Sequence, residues 1–210
     1  MTSIQRGALI VLEGCDRSGK SSQTRLLYDF LCTHGVSAKH MVFPNRNSDI
    51  GSSINAYLKN CKDLSDEVIH LLFTANRWEY KKEMEDLLNS GTTLVVDRYS
   101  YSGVAYSVAK GLDFDWCMAP ERGLIRPDAV FYLKAPFEHL MNRGNFGGER
   151  YEVKDMQLKV ANVFDHISES QKDFWHIIDA SQTKDAVFEN LSTKVLEIVE
   201  QIKETPLRNL

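Results

Sequence analysis

Short apolar segments alternate with longer amphipathic segments along this chain. The short segments are rich in β-branched and aromatic residues and end at polar or turn-forming residues, a pattern typical of buried strands. They cover residues 7–13, 38–43, 92–96, 128–133 and 174–178. Because such continuous apolar runs leave no polar face, they indicate a parallel sheet that helices cover on both sides.

The longer segments predict helices between these strands, because their apolar residues recur every three or four positions. Ser48 or Asp49 can cap the second helix, and Ser65 is placed to begin the third. In residues 114–126, prolines and a glycine interrupt the pattern, and only 115–118 is predicted as a helical turn. We expect the other helices over residues 21–34, 49–58, 65–89, 101–109, 137–142, 152–172 and 186–202.

The length and the order of these elements predict one α/β domain over residues 1–210. At 210 residues and 43% apolar composition, the chain can bury one sizeable core. We expect three layers, with a five-stranded parallel sheet between two layers of helices. Neither an internal repeat nor a linker interrupts this pattern.

Polar residues stand at or just after the ends of four of the predicted strands. In parallel sheets ligands bind beyond the carboxyl ends of the strands, so we expect these residues to line one crevice. They are Glu13, Gly14, Arg46, Asp97, Arg98 and Asp179.

The charge balance favours a small-molecule partner. The formal net charge is −4, so the chain has no overall basic field of the kind that holds nucleic acid or an anionic membrane. The six histidines show no metal-ligand spacing. We therefore expect neither nucleic acid nor membrane as a partner.

The cysteines and the hydropathy pattern indicate a reducing compartment. The four cysteines form no C-x-x-C pair, which favours free thiols. The first residues, MTSIQRG, contain no apolar stretch of the signal-peptide type, and no 18-residue apolar run occurs. A soluble, cytoplasmic protein is expected, with a nuclear or other reducing compartment remaining open.

The segment GCDRSGKS, residues 14–21, fits the phosphate-binding pattern G-x-x-x-x-G-K-[ST]. It lies between a predicted strand and a predicted helix, where backbone N–H groups of the loop and the helix N-terminus converge on phosphate oxygens. Its spacing predicts that Lys20 reaches the terminal phosphates and that the Ser21 hydroxyl binds Mg²⁺. The alternative is a glycine turn that only reverses the chain.

Three charged residues extend this prediction. Asp97 ends a hydrophobic strand, as does the aspartate that binds the metal in many phosphate-loop proteins; alternatively, it caps the next helix. Asp16 would be repelled by a triphosphate and is expected to face the acceptor, whereas Arg17 can place a cation on the transferred group. The alternative for these two is a local ion pair.

The predicted long helix places Phe73 and Arg77 on one face, four residues apart. An aromatic ring there can stack on a base, and a guanidinium can donate to a base carbonyl. The alternative is a core phenylalanine and a solvated arginine, and the spacing alone does not decide between them.

Several segments together resemble the thymidylate kinases that carry an arginine in the phosphate loop. The resemblance spans nearly the whole chain, in order, and is most specific in FPNR, FTANRWE and DRYSYSGVAY. It implies a phosphate-loop nucleoside monophosphate kinase fold and phosphorylation of dTMP to dTDP with Mg-ATP, in dTTP synthesis. It also implies a homodimer, a cis peptide bond between Phe43 and Pro44, and a glycine-rich lid at about 142–152. The remaining segments are LEG-x-DR-x-GKS, HLL before FTANRWE, RPD at 126–128, GNFGGERYE and IIDAS.

The resemblance also implies roles for individual residues. Catalytic roles fall to Arg17, Lys20, Asp97 and Arg98, with Ser21 and Asp97 at the metal. ATP would be bound by Arg17, Ser18, Gly19, Lys20, Ser21, Ser22, Arg143, Ser181 and Gln182. dTMP would be bound by Asp16, Phe43, Arg46, Phe73, Arg77, Arg98, Gly103, Tyr106, Ser107 and Tyr151.

Three positions depart from the family pattern, which usually has Ala at Ser18, Thr at Ser22 and, in some members, Thr at Ser107. The first two changes keep small side chains, but Ser107 loses a methyl group and could loosen base selectivity.

Two other functions remain open: a kinase for a purine monophosphate or dUMP, and a catalytically silent nucleotide-binding protein. The combination of Lys20, Ser21, Asp97 and the acceptor-side arginines argues against the silent protein.

Overall fold

The computed structural model describes residues 5–141, 143 and 147–210. The strands are β1 (Leu9–Glu13), β2 (Ala38–Val42), β3 (Thr93–Asp97), β4 (Ala129–Lys134) and β5 (Trp175–Asp179). The helices are α1 (Lys20–Thr33), α2 (Asp49–Leu58), α3 (Asp66–Asn89), α4 (Ser100–Ala109), α5 (Phe114–Met118), α6 (Phe137–Met141), α7 (Lys154–Ser170) and α8 (Lys184–Gln201). A short 3₁₀ turn, Ala119–Glu121, follows α5.

The five strands form one parallel sheet in the order β2-β3-β1-β4-β5. The three central strands are buried along almost their whole length, which explains their continuous apolar sequences. This arrangement confirms the predicted α/β fold. It brings the carboxyl ends of β1, β2 and β3 side by side at one edge.

Two apolar clusters cover the two faces of the sheet and confirm the three layers. On one face, Leu27 and Leu31 of α1 pack with Leu191 and Val195 of α8. On the other face, residues from α3, α4 and α7 form the larger cluster, which includes Leu88, Ala105 and Phe164. The larger cluster lies beneath the site described below.

Most predicted boundaries lie within two residues of the observed ones. Helix starts were predicted well because capping side chains can be recognised in the sequence. Ser48, rather than Asp49, caps α2 by accepting a hydrogen bond from the Gly51 amide. Thr183 caps α8, which therefore begins two residues earlier than predicted. The segment after α4 contains more helix than predicted, since the 3₁₀ turn extends α5 up to the break near Gly123.

Some predictions fall on residues outside the described ranges. These are residues 1–4 of the N-terminal segment and residues 142 and 144–146 of the predicted lid. Within the described ranges, no helix is both long and apolar enough to cross a membrane. The Phe43–Pro44 peptide bond is cis, as the resemblance implies.

Candidate active site

A cleft with an empty volume of about 560 Å³ opens beyond the carboxyl ends of β1, β2 and β3. It is bounded by the phosphate loop, by α3 and α4, and by the segment around Tyr151. Every residue predicted to bind dTMP lines this cleft except Ser107. The predicted residues that line it are Asp16, Phe43, Arg46, Phe73, Arg77, Arg98, Gly103, Tyr106 and Tyr151.

The phosphate loop wraps around the side chain of Lys20. The Lys20 ammonium donates to the Cys15 carbonyl at 2.5 Å and to the Ser18 hydroxyl at 3.2 Å. Its burial, followed by the charge of Arg98, lowers the pKa of Lys20 to about 8. Gly19 has a φ of 98°, in the region that favours glycine, and directly precedes α1. The loop thus holds one cation at the N-terminus of a helix, as an anion site requires.

Ser21 and Asp97 meet at the end of β3. The Ser21 hydroxyl donates to Oδ2 of Asp97 at 2.5 Å, while Oδ1 of Asp97 is buried without a hydrogen-bond partner among the described residues. A buried carboxylate oxygen without a donor is costly unless a cation or water meets it. No cluster of three or more His, Cys, Asp or Glu residues occurs in the described part of the chain. The pair therefore suits Mg²⁺, which keeps few protein ligands and binds substrate phosphates.

Asp16 and Arg98 form an ion pair across the cleft floor. The Arg98 guanidinium donates to Oδ1 of Asp16 at 2.5 Å, and its Cζ lies 5.4 Å from the ring centre of Tyr106. The other Asp16 oxygen accepts from the Gln157 amide at 2.7 Å, and the Asp16 N–H donates back to Gln157 Oε1. Asp16 therefore faces the cleft, and Gln157 holds its carboxylate in place.

Two glutamates pair with the arginines predicted to bind phosphate. Arg46 donates to both oxygens of Glu149, at 2.7 and 3.1 Å, and Arg17 donates to Glu152 at 2.8 Å. Burial raises the pKa of Glu152, but hydrogen bonds from Arg17 and the Gly148 amide, together with the Arg17 charge, leave it below its usual value. Both arginines thus already meet carboxylates, and the Arg46–Glu149 pair lines the cleft, which indicates that their positions suit anions.

Phe73 and Arg77, both from α3, line the cleft. Arg77 is 2% exposed and pairs through Nε and Nη2 with Glu121, which is fully buried. Gly103 lies against the guanidinium on the α4 side. Arg77 is therefore held in place and shielded from solvent, which excludes the alternative from the sequence that Arg77 is a solvated arginine.

Ser107 is buried in α4 and does not line the cleft. Its hydroxyl forms a 2.8 Å hydrogen bond with Nδ1 of His70, whose Nε2 lies 3.0 Å from the Cys117 carbonyl. Because that carbonyl only accepts, Nε2 carries the proton and Nδ1 accepts from Ser107. Burial lowers the pKa of His70. Any influence of Ser107 on a bound base is therefore indirect.

A second cavity, of about 670 Å³, opens on the other side of the phosphate loop. Its lining includes the predicted ATP-binding residues Ser18, Gly19, Ser22, Arg143 and Gln182. Arg143 donates to the carbonyls of Ala180, at 2.5 Å, and Arg17, at 3.2 Å. Ser181 is not part of this lining, because its hydroxyl turns back to Asp179 at 2.6 Å. Two cavities thus flank one loop, as a donor and an acceptor site would.

Two of the predicted crevice residues lie elsewhere. Glu13 is fully buried beneath α4, where it accepts from the Tyr99 and Ser102 amides and the Ser102 hydroxyl, so it caps that helix. Asp179 holds the Ser181 turn on the side of the second cavity. The crevice expectation was therefore correct for Arg46 and Arg98 and wrong for Glu13 and Asp179.

Sequence reasoning missed four side chains that orient the site: Glu121, Glu149, Glu152 and Gln157. Gln157 could have been recognised from the sequence, because it shares a mainly apolar face of α7 with Val160, Phe164 and Ile167. A polar residue on such a stripe requires buried partners. The three glutamates stand in loop-like sequence, where nothing in the spacing marks them.

Comparisons with known proteins agree on one family. A family model described as thymidylate kinase matches residues 12–191. Thymidylate kinase of Arabidopsis thaliana is 50% identical over 199 residues, covering 95% of this chain and 74% of that protein. Human thymidylate kinase is 41% identical over 207 residues, covering 98% of each. The solved structure of Candida albicans thymidylate kinase superposes with a TM-score of 0.85 at 37% identity, covering 98% of both chains.

Proposed function

The chain belongs to the thymidylate kinase family, and we propose that it transfers the γ-phosphoryl group of ATP to dTMP. In this reaction an oxygen of the dTMP phosphate forms a bond to the γ-phosphorus while the bond between that phosphorus and the β–γ bridging oxygen breaks. The products are dTDP and ADP, and we place the reaction in dTTP synthesis.

The observation that carries this proposal is the set of side chains that line the cleft. Arg46 and Arg98 line the same cleft as Phe73 and Arg77, and Arg98 also donates to the Gly14 carbonyl and the Asp16 carboxylate of the phosphate loop. The first pair suits the phosphate of a monophosphate, and the second suits a base that has a flat face and a carbonyl. Asp16 lines the same cleft beside Arg98, where a carboxylate can accept from the deoxyribose 3′-hydroxyl.

The remaining acceptor roles follow from the walls of the cleft. Phe73 would stack on thymine and Arg77 would donate to its O4 atom, while Tyr106 and Tyr151 would enclose the sugar and base. Phe43 and Gly103 would complete the wall. Ser107 would act only through α4, since its hydroxyl bonds His70.

The second cavity supports the donor site. Ser18, Gly19, Lys20, Ser21 and Ser22 would hold the ATP phosphates with their N–H, hydroxyl and ammonium groups. Arg143 and Gln182 would lie near the adenine, with Ser181 in the adjoining turn.

Mg²⁺ is the cofactor that this site would use, held by Ser21 and Asp97. The donor-free Oδ1 of Asp97 and the neighbouring hydroxyl are hard oxygen ligands of the kind that this ion prefers. When bound, the ion neutralises charge on the β- and γ-phosphate oxygens.

The transfer needs no general base in the protein. The acceptor is a phosphate monoester whose second pKa is near 6, so its oxygen is largely deprotonated at neutral pH. The protein must instead hold two polyanions in line, which requires cations. Lys20 and Arg17 would supply them on the donor side, and Arg46 and Arg98 on the acceptor side.

We also propose a homodimer in a reducing compartment, the cytoplasm. Four large apolar side chains are between 39 and 45% exposed: Val68, Leu71 and Trp78 of α3 and Trp116 of α5. A second copy of the chain would bury this apolar surface. Sedimentation tests this directly. All four cysteines are free, which supports the compartment.

Release of ADP across a panel of nucleoside monophosphates tests the proposed function. The panel should contain dTMP, dUMP, dCMP, dGMP and AMP at equal concentration, with an omission of acceptor as the control. We expect dTMP to support the highest kcat/KM. Lower rates with other acceptors would agree with the broad substrate specificity described for the Candida albicans enzyme. A purine monophosphate preferred over dTMP, or ADP release independent of the acceptor, would contradict the proposal.

A further inference from the structure

Glu121 holds the Arg77 guanidinium from the side opposite the cleft. Nε of Arg77 donates to Glu121 Oε2 at 2.9 Å, and Nη2 donates to Oε1. Both side chains are at least 97% buried. Two parallel hydrogen bonds between a guanidinium and a carboxylate fix the plane of the guanidinium as well as its position.

A third residue and the local backbone hold this pair. The Thr74 hydroxyl donates to Glu121 Oε1 at 2.6 Å and accepts from Nη2 of Arg77 at 3.3 Å. The Glu121 carbonyl accepts from the Leu124 amide, and the Leu124 carbonyl accepts from the Leu210 amide at 2.9 Å. The carboxylate therefore stands on a braced turn rather than on a free loop.

This arrangement leaves one guanidinium nitrogen for a ligand. Nη1 of Arg77 forms no hydrogen bond to any described residue, although the side chain lines the cleft. An arginine side chain has donors only and stays charged, so Nη1 can meet an acceptor but not an amino group. Rotation that would bring Nη2 or Nε to the ligand would break the bonds to Glu121.

We propose that Glu121 is a positioning residue that sets base selectivity by presenting Nη1 of Arg77 to a pyrimidine with a carbonyl at position 4. This inference rests on the proposed function, in which Arg77 contacts the base. A cytosine base has an amino group at that position, so it would place a donor against a donor. Glu121 thus discriminates without touching the substrate.

The test uses Glu121→Gln in the full chain, with steady-state kinetics for dTMP, dCMP and ATP. The glutamine amide N–H₂ would face a donor of Arg77 and break the paired geometry. Hydrogen bonds to charged groups have an effect of roughly ten- to a hundredfold on an equilibrium, so we expect the KM for dTMP to rise by that factor. The KM for ATP should not change, and the preference for dTMP over dCMP should fall about tenfold or more.

Asp128→Asn is the matched control. Asp128 forms a buried bidentate pair with Arg6, at 2.7 Å for both bonds, outside the cleft. Loss of that pair should lower thermal stability as Glu121→Gln does but leave the KM for dTMP unchanged. Thr74→Val is a milder second variant that folds more readily, and a rise of about three- to tenfold in the KM for dTMP is expected.

Two further measurements separate positioning from a structural role. In an Arg77→Ala background, Glu121→Gln should add little to the KM for dTMP, and Glu121→Asp, which keeps the charge, should restore part of the selectivity. An unchanged KM in both Glu121→Gln and Thr74→Val, or a full additional loss in the Arg77→Ala background, would overturn the inference. A wild type without dTMP-dependent ADP release would instead overturn the proposed function, and the inference with it.

Discussion

A Cβ atom at position 103 would lie 2.5 Å from Nη2 of Arg77 and 3.1 Å from Cζ. Glycine at this point of α4 is therefore what allows the guanidinium to lie flat against the helix. Since Glu121 holds the guanidinium on the other side, the Arg77 side chain has little freedom to move away from position 103.

Gly103→Ala should impair dTMP binding without impairing the helix. Alanine favours a helix by about 0.8–1.0 kcal/mol over glycine, but its methyl group would push Arg77 out of place. Overpacking of this kind costs roughly 1–3 kcal/mol, so we expect the KM for dTMP to rise about tenfold or more while the KM for ATP is unchanged. Ser100→Ala, in the same helix and without a hydrogen-bond partner for its hydroxyl among the described residues, is the control. Equal KM values for Gly103→Ala and Ser100→Ala would contradict the packing argument.

Arg17→Ala should lower turnover far more than dTMP affinity. Arg17 belongs to the phosphate loop and pairs with Glu152, so its charge is available near the transferred group rather than at the base. We expect kcat to fall by about a hundredfold or more and the Kd of dTMP to change only a few-fold. Single-turnover kinetics and calorimetry measure the two quantities, with the exposed α1 residue Arg25→Ala as control. Equal losses in both would show that Arg17 does not act on the transition state.

Asp97→Asn should raise the Mg²⁺ requirement. The substitution removes one negative charge from a buried pair whose free oxygen has no donor. We expect the Mg²⁺ concentration for half-maximal rate to increase about tenfold and kcat to fall. Chelation of Mg²⁺ by EDTA should abolish the wild-type rate, and excess Mg²⁺ should restore it. Asp165→Asn, which alters an exposed pair with Lys134, should leave the titration unchanged. An identical Mg²⁺ dependence in Asp97→Asn and wild type would place the metal elsewhere.

Because of His70, we expect the free energy of unfolding to fall as the solution becomes mildly acidic. Burial lowers the pKa of His70 in the folded protein below its usual 6.5, so the unfolded chain binds a proton there more readily. Its contribution to the free energy of unfolding is present above pH 6.5 and is lost as the pH falls below that value, by up to about 1.4 kcal/mol per pH unit. Burial also lowers the pKa values of His40 and His176, so these two residues add to the loss of stability at low pH in the wild type and in any His70 variant alike.

Urea unfolding between pH 7.5 and 5.5, in wild type and His70→Gln, isolates this contribution. The wild type should lose more stability over the interval than the variant does. Parallel pH profiles would mean that His70 titrates alike in the folded and unfolded chains.

The sheet was predictable because its central strands carry a local signal. β1, β3 and β4 are apolar throughout, since helices cover both of their faces, and Ser48 and Ser65 mark helix starts through short-range hydrogen bonds. The helical content after α4 was underestimated because Pro120 lies in the first turn of the 3₁₀ segment, a position where proline is tolerated.

The candidate site was predictable only in part, because its supporting contacts join distant parts of the chain. Motif spacing and the family resemblance pointed to Asp16, Arg77 and the other cleft residues. Their partners gave no such signal: Gln157 lies 141 residues from Asp16, and Glu121 lies 44 residues from Arg77. Such pairs depend on how α3, α7 and the 3₁₀ turn pack, which local periodicity does not contain.

The most direct test of the proposed function is to follow the transferred phosphate. With ATP labelled at the γ-phosphate, dTMP and Mg²⁺, the products can be separated by chromatography and counted. We predict that the label appears in dTDP, with one ADP formed for each dTDP. Label recovered as inorganic phosphate, or in dTDP only after long incubation while ADP accumulates, would contradict the assignment of dTMP as the acceptor.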